Sequence, residues 1–353
     1  MSWVKELARA DIVALQGYEH AAWEPELTRL HANELPWRAP GDDSRAGLNR
    51  YPEPQPRALI ERLADLYGVA PQRVLASRGS DEAIDLLVRA FCRAECDAVV
   101  VCPPTFGMYT VAARIQGAQV LSVPLKVDDG FALDESAVLK AATASHVKIV
   151  FLCSPNNPTG NLLDARAVLR IAQGLAGRAL VVVDEAYVEF SDHESLAGHV
   201  PRHSNLVVLR TLSKAHGLAG ARLGALIADP EIVKLLRKVI APYAITQLTI
   251  EAVLRLLDRS GRAAFEERIA MIRAERSRVS RALAALPTVS RVWPSAANFV
   301  LAEFRDAVTA LARARDARLL VRDARGYAEL GSALRITIGA SAQNNRLLQA
   351  LSS

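Results

Sequence analysis

Thr211-Leu212-Ser213-Lys214-Ala215-His216-Gly217-Leu218-Ala219-Gly220-Ala221-Arg222-Leu223-Gly224 sets a lysine just beyond an apolar run, residues 205–209, that reads as a buried strand. Two hydroxyl side chains precede the lysine, glycines follow it, and an arginine comes eight positions later. An amine, hydroxyls and a guanidinium converging after a strand suit a lysine held beside a bound phosphate. Taken alone, the stretch fits an ordinary strand-to-loop junction equally well. The neighbouring segments decide between the two.

Immediately upstream, Leu180-Val181-Val182-Val183 is the clearest buried strand, and it delivers Asp184-Glu185-Ala186-Tyr187 at its end. A buried acid there must find a cation or a donor, or its pKa climbs; a helix cap at a strand–helix junction is the other reading. Residues 147–152 form a further strand that runs into Cys153-Ser154-Pro155-Asn156-Asn157-Pro158-Thr159-Gly160. A turn so rich in Asn, Pro and Gly holds a polar side chain rigidly. Residues 98–102 end in a loop carrying Phe106, at the strand end where ligands of α/β folds collect. A lone aromatic residue in such a place is more often core than a stacking partner.

Before that strand, a helix over 57–67 leads to Arg78-Gly79-Ser80-Asp81-Glu82 and a second helix over 83–92. Ser80 and Asp81 occupy helix-cap positions. The free N–H groups of the same turn, with the helix dipole behind them, also form an anion site, and both roles can hold together. Strands at 120–125 and 224–228 complete an alternation of strands and helices from about 75 to 230. That alternation predicts a mostly parallel sheet sandwiched by helices.

The flanks read differently. The chain up to Trp23 has an amphipathic, helix-like pattern, and 31–36 is polar and turn-like. The prolines of Asn49-Arg50-Tyr51-Pro52-Glu53-Pro54-Gln55-Pro56 exclude helix and would hold Tyr51 on a stiff, extended arm. A helical region from Pro230 to about Leu286 leads to strands at 292–301 and 333–339 within a smaller α+β unit. The expected division is 1–30 as an N-terminal arm and part of the small domain, 31–260 as the large domain, and 261–353 as the small C-terminal domain.

Composition narrows the function classes. The chain has 353 residues, 51% of them hydrophobic and 23% charged, as soluble enzymes do. The formal net charge of +5 comes from dispersed arginines. The densest charged segment, 266–281, mixes both signs on an amphipathic pattern and lacks the interleaved aromatic residues of a single-strand binder. A nucleic-acid partner is therefore not expected. No apolar run reaches the length of a membrane span, and the N-terminus lacks a signal-peptide layout. Four cysteines are too few for a disulfide framework, so reduced thiols and a cytoplasmic location are expected.

Brought to one sheet edge, these loops offer an amine (Lys214), a carboxylate (Asp184), a phenol (Tyr187), an amide (Asn157), an aromatic face (Phe106) and a phosphate cup. Pyridoxal 5'-phosphate asks for this set: a lysine for the Schiff base and an acid to keep the pyridine nitrogen protonated. Each signal is weak alone, and their order at successive strand ends makes them strong jointly.

At the same residues the sequence resembles the fold-type-I aminotransferases of classes I and II. The motifs are Ser-Pro-Asn-Asn-Pro-Thr-Gly at 154–160, Asp-Glu-Ala-Tyr at 184–187 and Ser-Lys followed by Arg222 at 213–222. Stretches at 49–56, 77–92, 102–109, 239–243 and 334–339 make it similar, more narrowly, to the histidinol-phosphate aminotransferases. The resemblance implies an α/β fold with a large sheet domain and a smaller α+β domain drawn from the two chain ends. It implies that Lys214 forms the internal aldimine and shuttles a proton, and that Asp184 pairs with the ring nitrogen. Asn157 and Tyr187 would bind the cofactor's ring oxygen, and Phe106 would stack on its ring where many relatives carry Tyr. Ser80, Asp81, Thr211, Ser213 and Arg222 would hold its phosphate, joined by Tyr51 from the partner of a homodimer. Arg335, with Arg322, Tyr18, Asn33 and Asn157, would bind substrate, and Glu34 falls beside them. The implied substrates are histidinol phosphate and 2-oxoglutarate or glutamate, in a ping-pong sequence of histidine biosynthesis. His216 stands where an apolar residue is expected and is assigned no role.

Three alternatives stay open: the same fold acting on aromatic amino acids or decarboxylating a phosphorylated amino acid, a non-catalytic regulatory domain, and a metal hydrolase built on His193, His199 and His203. Pro201 between the last two histidines argues against one helix face.

Overall fold

The structure is a computed structural model that describes residues 2–20, 23, 24, 26–143 and 146–352. Seven strands form the main sheet: β1 (Val74–Ser77), β2 (Ala98–Val101), β3 (Gln119–Ser122), β4 (Val147–Cys153), β5 (Leu180–Asp184), β6 (Leu206–Thr211) and β7 (Gly224–Ile227). Their spatial order is β1-β7-β6-β5-β4-β2-β3. Only β7 runs against the rest, pairing antiparallel with both β1 and β6. The other adjacent pairs are parallel.

The apolar runs read as strands because both faces of this sheet are covered, and a strand buried on both sides needs no polar alternation. Val99, Val101, Ile149, Phe151, Val182 and Leu209 face one core with the helices Gly79–Phe91, Met108–Gln116 and Pro230–Leu236. Val100, Val150, Leu152, Val181, Val183 and Val208 face the other, under Glu135–Ala142 and Ala165–Gly174. The period-two alternation along each strand thus feeds two cores at once.

A second sheet, ordered β10-β11-β9-β8, is antiparallel: β8 (Val289–Val292), β9 (Phe299–Phe304), β10 (Arg322–Asp323) and β11 (Ala333–Thr337). The helices Arg259–Ala284, Ala307–Asp316 and Ser341–Ser352 pack on it. Arg259–Ala284, 26 residues long, spans roughly 39 Å at 1.5 Å per residue. Its Arg276 Nη1 donates to the carbonyls of Phe190 (2.9 Å) and Ala297 (2.7 Å), tying the two sheets' surroundings together.

Three local readings change. The expected strand over 292–301 is two strands joined by a turn at 293–298, where Pro294 supplies no ladder N–H and Ser295 Oγ accepts from Ala297 N–H at 3.2 Å. The helical region from 230 is three helices, Pro230–Leu236, Gln247–Leu256 and Arg259–Ala284, with Thr246 and Asp258 capping the second and third. The N-terminal lead forms two five-residue helices, Trp3–Leu7 and Ala10–Ala14, parted where Arg9 N–H donates to the Ala90 carbonyl at 3.0 Å. Val4, Leu7 and Ala8 of this lead join the core of the large sheet, and the core under the second sheet takes none of the described residues of 1–30. An amphipathic segment specifies that one face is buried, not against which core.

Candidate active site

The parallel strands all end at one edge, and a cleft of about 520 Å³ opens there, between the large sheet and β10–β11. Ser80, Asp81, Phe106, Asn157, Asp184, Tyr187, Thr211, Ser213, Lys214, Arg222, Arg322 and Arg335 all line it. The expected residues of β1, β2, β4, β5 and β6 are therefore gathered by topology alone.

The floor is Asp184, 2% exposed at the end of β5. Its Oδ2 accepts from the Tyr109 hydroxyl at 2.9 Å and its Oδ1 from the Ala186 N–H at 3.1 Å. Burial pushes the carboxyl up to about 6, with those two donors and Lys214 acting the other way. No cation pairs with Asp184 among the described residues, so the cleft offers a buried acid with room for a positively charged donor.

Lys214 leaves the end of β6 with its Nζ 5.6 Å from the centre of the Tyr187 ring. Its side chain is open to the cleft, but the surrounding walls strip water from the amine. That desolvation, followed by the nearby Arg335, draws its pKa below the ordinary lysine value. A lysine so placed has a larger neutral, nucleophilic fraction than a surface lysine.

At the other end, the helix Gly79–Phe91 points its first turn into the cleft with no side-chain cap. The first-turn N–H groups and helix dipole make an anion site there. Ser213 Oγ accepts from Arg222 Nη1 at 3.4 Å, and Arg222 Nη2 pairs with Asp81 at 3.2 Å. Gly79 has φ +77°, and a Cβ on it would come within 2.9 Å of Arg222 Nη2. Glycine is required there for the arginine to lie across the helix start.

The open side carries two more guanidiniums. Arg335 on β11 and Arg322 on β10 are direct cross-strand partners. Arg335 Nη1 donates to Asn157 Oδ1, and its plane lies over the Phe299 ring, 5.2 Å from the centre. Its Nε is buried without a hydrogen-bond partner, and neither arginine has a carboxylate partner among the described residues. Like charges directly opposed on a sheet repel. An anionic ligand in the cleft would relieve this pair.

Lysine amine, buried acid, aromatic wall and helix-start anion cup fit a phosphorylated, ring-bearing cofactor that joins a lysine. Phe106 is half-buried with its ring on the cleft wall, edge-on to Tyr109 at 5.7 Å.

Other expected residues lie elsewhere in this chain. Tyr51 is half-exposed and stacks on Tyr243 at 4.6 Å, away from the cleft lining. Tyr18 packs edge-on against His20 at 5.3 Å, and Asn33 is exposed with φ 55°. Glu34 is buried as a tether, accepting from Arg29 at 2.7 Å, Arg50 at 2.9 Å and the Tyr51 N–H at 2.7 Å. His216 packs edge-on against Phe265 at 5.2 Å, and burial lowers its pKa. Among the described residues, no group of three or more His, Cys, Asp or Glu side chains could hold a metal ion. None of their helices is long and apolar enough to cross a membrane.

Sequence reasoning missed Tyr109, Asp323 and Tyr327, of which the last two line the cleft beside Arg322. For Tyr109 a signal existed: a buried tyrosine hydroxyl must find a partner.

The family profile "Aminotransferase class I and II" matches residues 32–351. The chain is 48% identical over 354 aligned positions to a histidinol-phosphate aminotransferase of Stenotrophomonas maltophilia, covering 99% of this chain and 97% of that protein. Among solved structures it is similar to the histidinol-phosphate aminotransferase of Sinorhizobium meliloti in complex with pyridoxal-5'-phosphate. The TM-score there is 0.79 at 26% identity, over 86% of this chain and 82% of the other. It is also similar to the L-threonine-O-3-phosphate decarboxylase of Porphyromonas gingivalis, with a TM-score of 0.73 at 28% identity over 87% and 93% of the two chains. The protein belongs to the class I and II aminotransferase family.

Proposed function

We propose that this protein transfers the amino group of L-histidinol phosphate to 2-oxoglutarate, giving imidazole-acetol phosphate and L-glutamate, a step of histidine biosynthesis. The cofactor is pyridoxal 5'-phosphate, which supplies an aldehyde that accepts the amino group and a ring that takes up the electron pair released at the substrate carbon. The observation that carries the reading is the Arg322–Arg335 pair facing Lys214 and Asp184 across one cleft. A phosphate dianion neutralises two guanidiniums where a carboxylate neutralises one, and Arg335 can serve both substrates in turn.

The chain's own groups divide the work. The uncapped turn at Ser80–Asp81, with Thr211, Ser213 and Arg222, would hold the cofactor's phosphate. Asp184 would keep the ring nitrogen protonated. Asn157 and Tyr187 would bind the ring oxygen, and Phe106 would cover one face. Lys214 would hold and move the proton at the substrate carbon, because its lowered pKa suits both directions of transfer.

A homodimer belongs to this reading. Tyr51 lies away from its own cleft on an extended proline-rich arm, and would complete the phosphate site of a second copy. Exposed Leu27, Leu30, Leu35, Trp37 and Leu48 cluster in sequence on the same arm, which supports a covered surface. Tyr18 and Asn33 would reach substrate in that arrangement. The proposed location is the cytoplasm, and the proposed division is an arm over 1–30, a large domain over 31–260 and a small domain over 261–353.

A second reading, decarboxylation of a phosphorylated amino acid, is favoured by the same phosphate-ready arginine pair. Which bond breaks depends on which lies perpendicular to the ring. Turnover of L-histidinol phosphate, L-phenylalanine and L-threonine O-phosphate by the purified holoenzyme separates the readings. Amino transfer should be fastest with histidinol phosphate; carbon dioxide release from threonine phosphate would favour the decarboxylase.

A further inference from the structure

Tyr109 is wholly buried in the helix Met108–Gln116, which begins just after the Phe106 loop. Its ring is stacked on Phe151 of β4, with centres 4.9 Å apart and planes 2° from parallel. That packing needs the ring but not the hydroxyl, and burying a hydroxyl is unfavourable unless it is hydrogen-bonded. The hydroxyl donates to Asp184 Oδ2 at 2.9 Å, with the Cys153 thiol also beside it. The same ring meets Phe106 edge-on, 84° between planes. Phe106 has no polar handle, so its orientation over the cleft depends on packing such as this.

We propose that Tyr109 is the positioning residue for both groups that meet the cofactor ring: its hydroxyl aims the Asp184 carboxylate, and its ring edge sets the tilt of Phe106. One rigid side chain thereby links the acid at the ring nitrogen to the wall at the ring face. Burial, with the Asp184 carboxylate beside it, pushes the Tyr109 phenol well above its ordinary pKa. The phenol therefore stays protonated and donates, and Asp184 accepts as the anion. Removing the donor leaves Asp184 with one amide N–H, and a buried carboxylate that loses a donor holds its proton more tightly.

This inference rests on the cofactor assignment above, so its first test uses cofactor-free protein. Tyr109→Phe keeps the stack on Phe151 and the edge against Phe106, and removes only the hydroxyl. Titration of the Asp184 carboxyl by carbon-13 NMR should show its midpoint raised by about one pH unit or more. Of the other titratable or charged groups facing Asp184, Asp81, Lys214 and Tyr187 keep their surroundings in that variant, and the Cys153 thiol, which also meets the Tyr109 hydroxyl, stays protonated because burial pushes its pKa up. 3-Fluorotyrosine at position 109, a stronger donor of nearly the same shape, should lower the midpoint. In the holoenzyme, Tyr109→Phe should reduce kcat about tenfold with KM changed less than twofold. In an Asp184→Ala background it should weaken pyridoxal phosphate binding no further, because its polar effect passes through Asp184. An unmoved Asp184 midpoint in both variants, or a full additive loss of cofactor affinity in the double variant, would overturn the proposal. Shifted midpoints with no cofactor binding would instead count against the cofactor assignment alone.

Discussion

Asp184 and Glu185 are consecutive, both buried, and solvated by the protein in opposite ways. Glu185 faces a closed ionic cluster: its carboxylate accepts from Ser195 Oγ and from the Leu196 N–H at 2.7 Å, with Arg210 Nη1 at 3.6 Å. Arg210 is shared with Glu189 at 2.8 Å and lies over the Tyr67 ring, 4.6 Å from its centre. Asp184 faces the cleft with a phenol and one amide as donors. Burial raises both carboxyls. Glu185 is answered by a guanidinium within the fold, and Asp184 is left to be answered by a cation from outside. The contrast shows how one strand end supplies both a structural acid and a functional one.

The largest expected effect sharpens the functional side. Lys214→Arg keeps a charge near Asp184 but loses the transferable amine, and kcat should fall by about 10⁴-fold or more, with folding intact by circular dichroism. The structural side breaks differently. Arg210→Met leaves buried Glu185 and half-buried Glu189 without their cation and should cost about 3–5 kcal/mol in chemical denaturation. The same substitution should change the kcat of the surviving folded fraction little.

Asp184→Asn should reverse that pattern. It should lower kcat by about 10²–10³-fold, as loss of a preorganised electrostatic group does, yet stabilise the cofactor-free protein. Since the Asp184 carboxyl is raised from the ordinary carboxylate range to about 6, the folded protein keeps a proton there that the unfolded chain has released. Its contribution is greatest at or below about pH 4 and is lost as pH rises through 6. At pH 7 the gain from Asp184→Asn should be on the order of 2–3 kcal/mol, fading toward pH 4. A cofactor-free variant no more stable than wild type at pH 7 would break the comparison. Smallest of all, Arg322→Ala should raise KM about tenfold for histidinol phosphate and less for glutamate, because it removes one of two phosphate partners.

Much of this was legible in the sequence for a physical reason. A strand buried on both faces is a plain apolar run, and the polar residues that end or closely follow it stand out, as Asp184, Asn157 and Lys214 do. Arg335 came from the resemblance alone, since a single charged residue in the middle of a short strand does not by itself mark a ligand site. Tyr109 was not: its partner lies 75 residues away and two strands across the sheet, a distance no local pattern encodes. Arg322 lies on a strand of two exposed residues with no periodicity, so its pairing with Arg335 emerges only from register. The N-terminal lead showed its amphipathic face but not its destination, which Arg9 fixes by bonding to the Ala90 carbonyl.

The central claim is that this cleft, with its unanswered acid and its paired arginines, exchanges an amino group with histidinol phosphate. The most direct test is the absorbance spectrum of the purified holoprotein as L-histidinol phosphate is added in the absence of any oxo acid. The pyridoxal band should give way to that of pyridoxamine phosphate and return on adding 2-oxoglutarate. A spectrum unmoved by histidinol phosphate, but shifted by another amino donor, would contradict it.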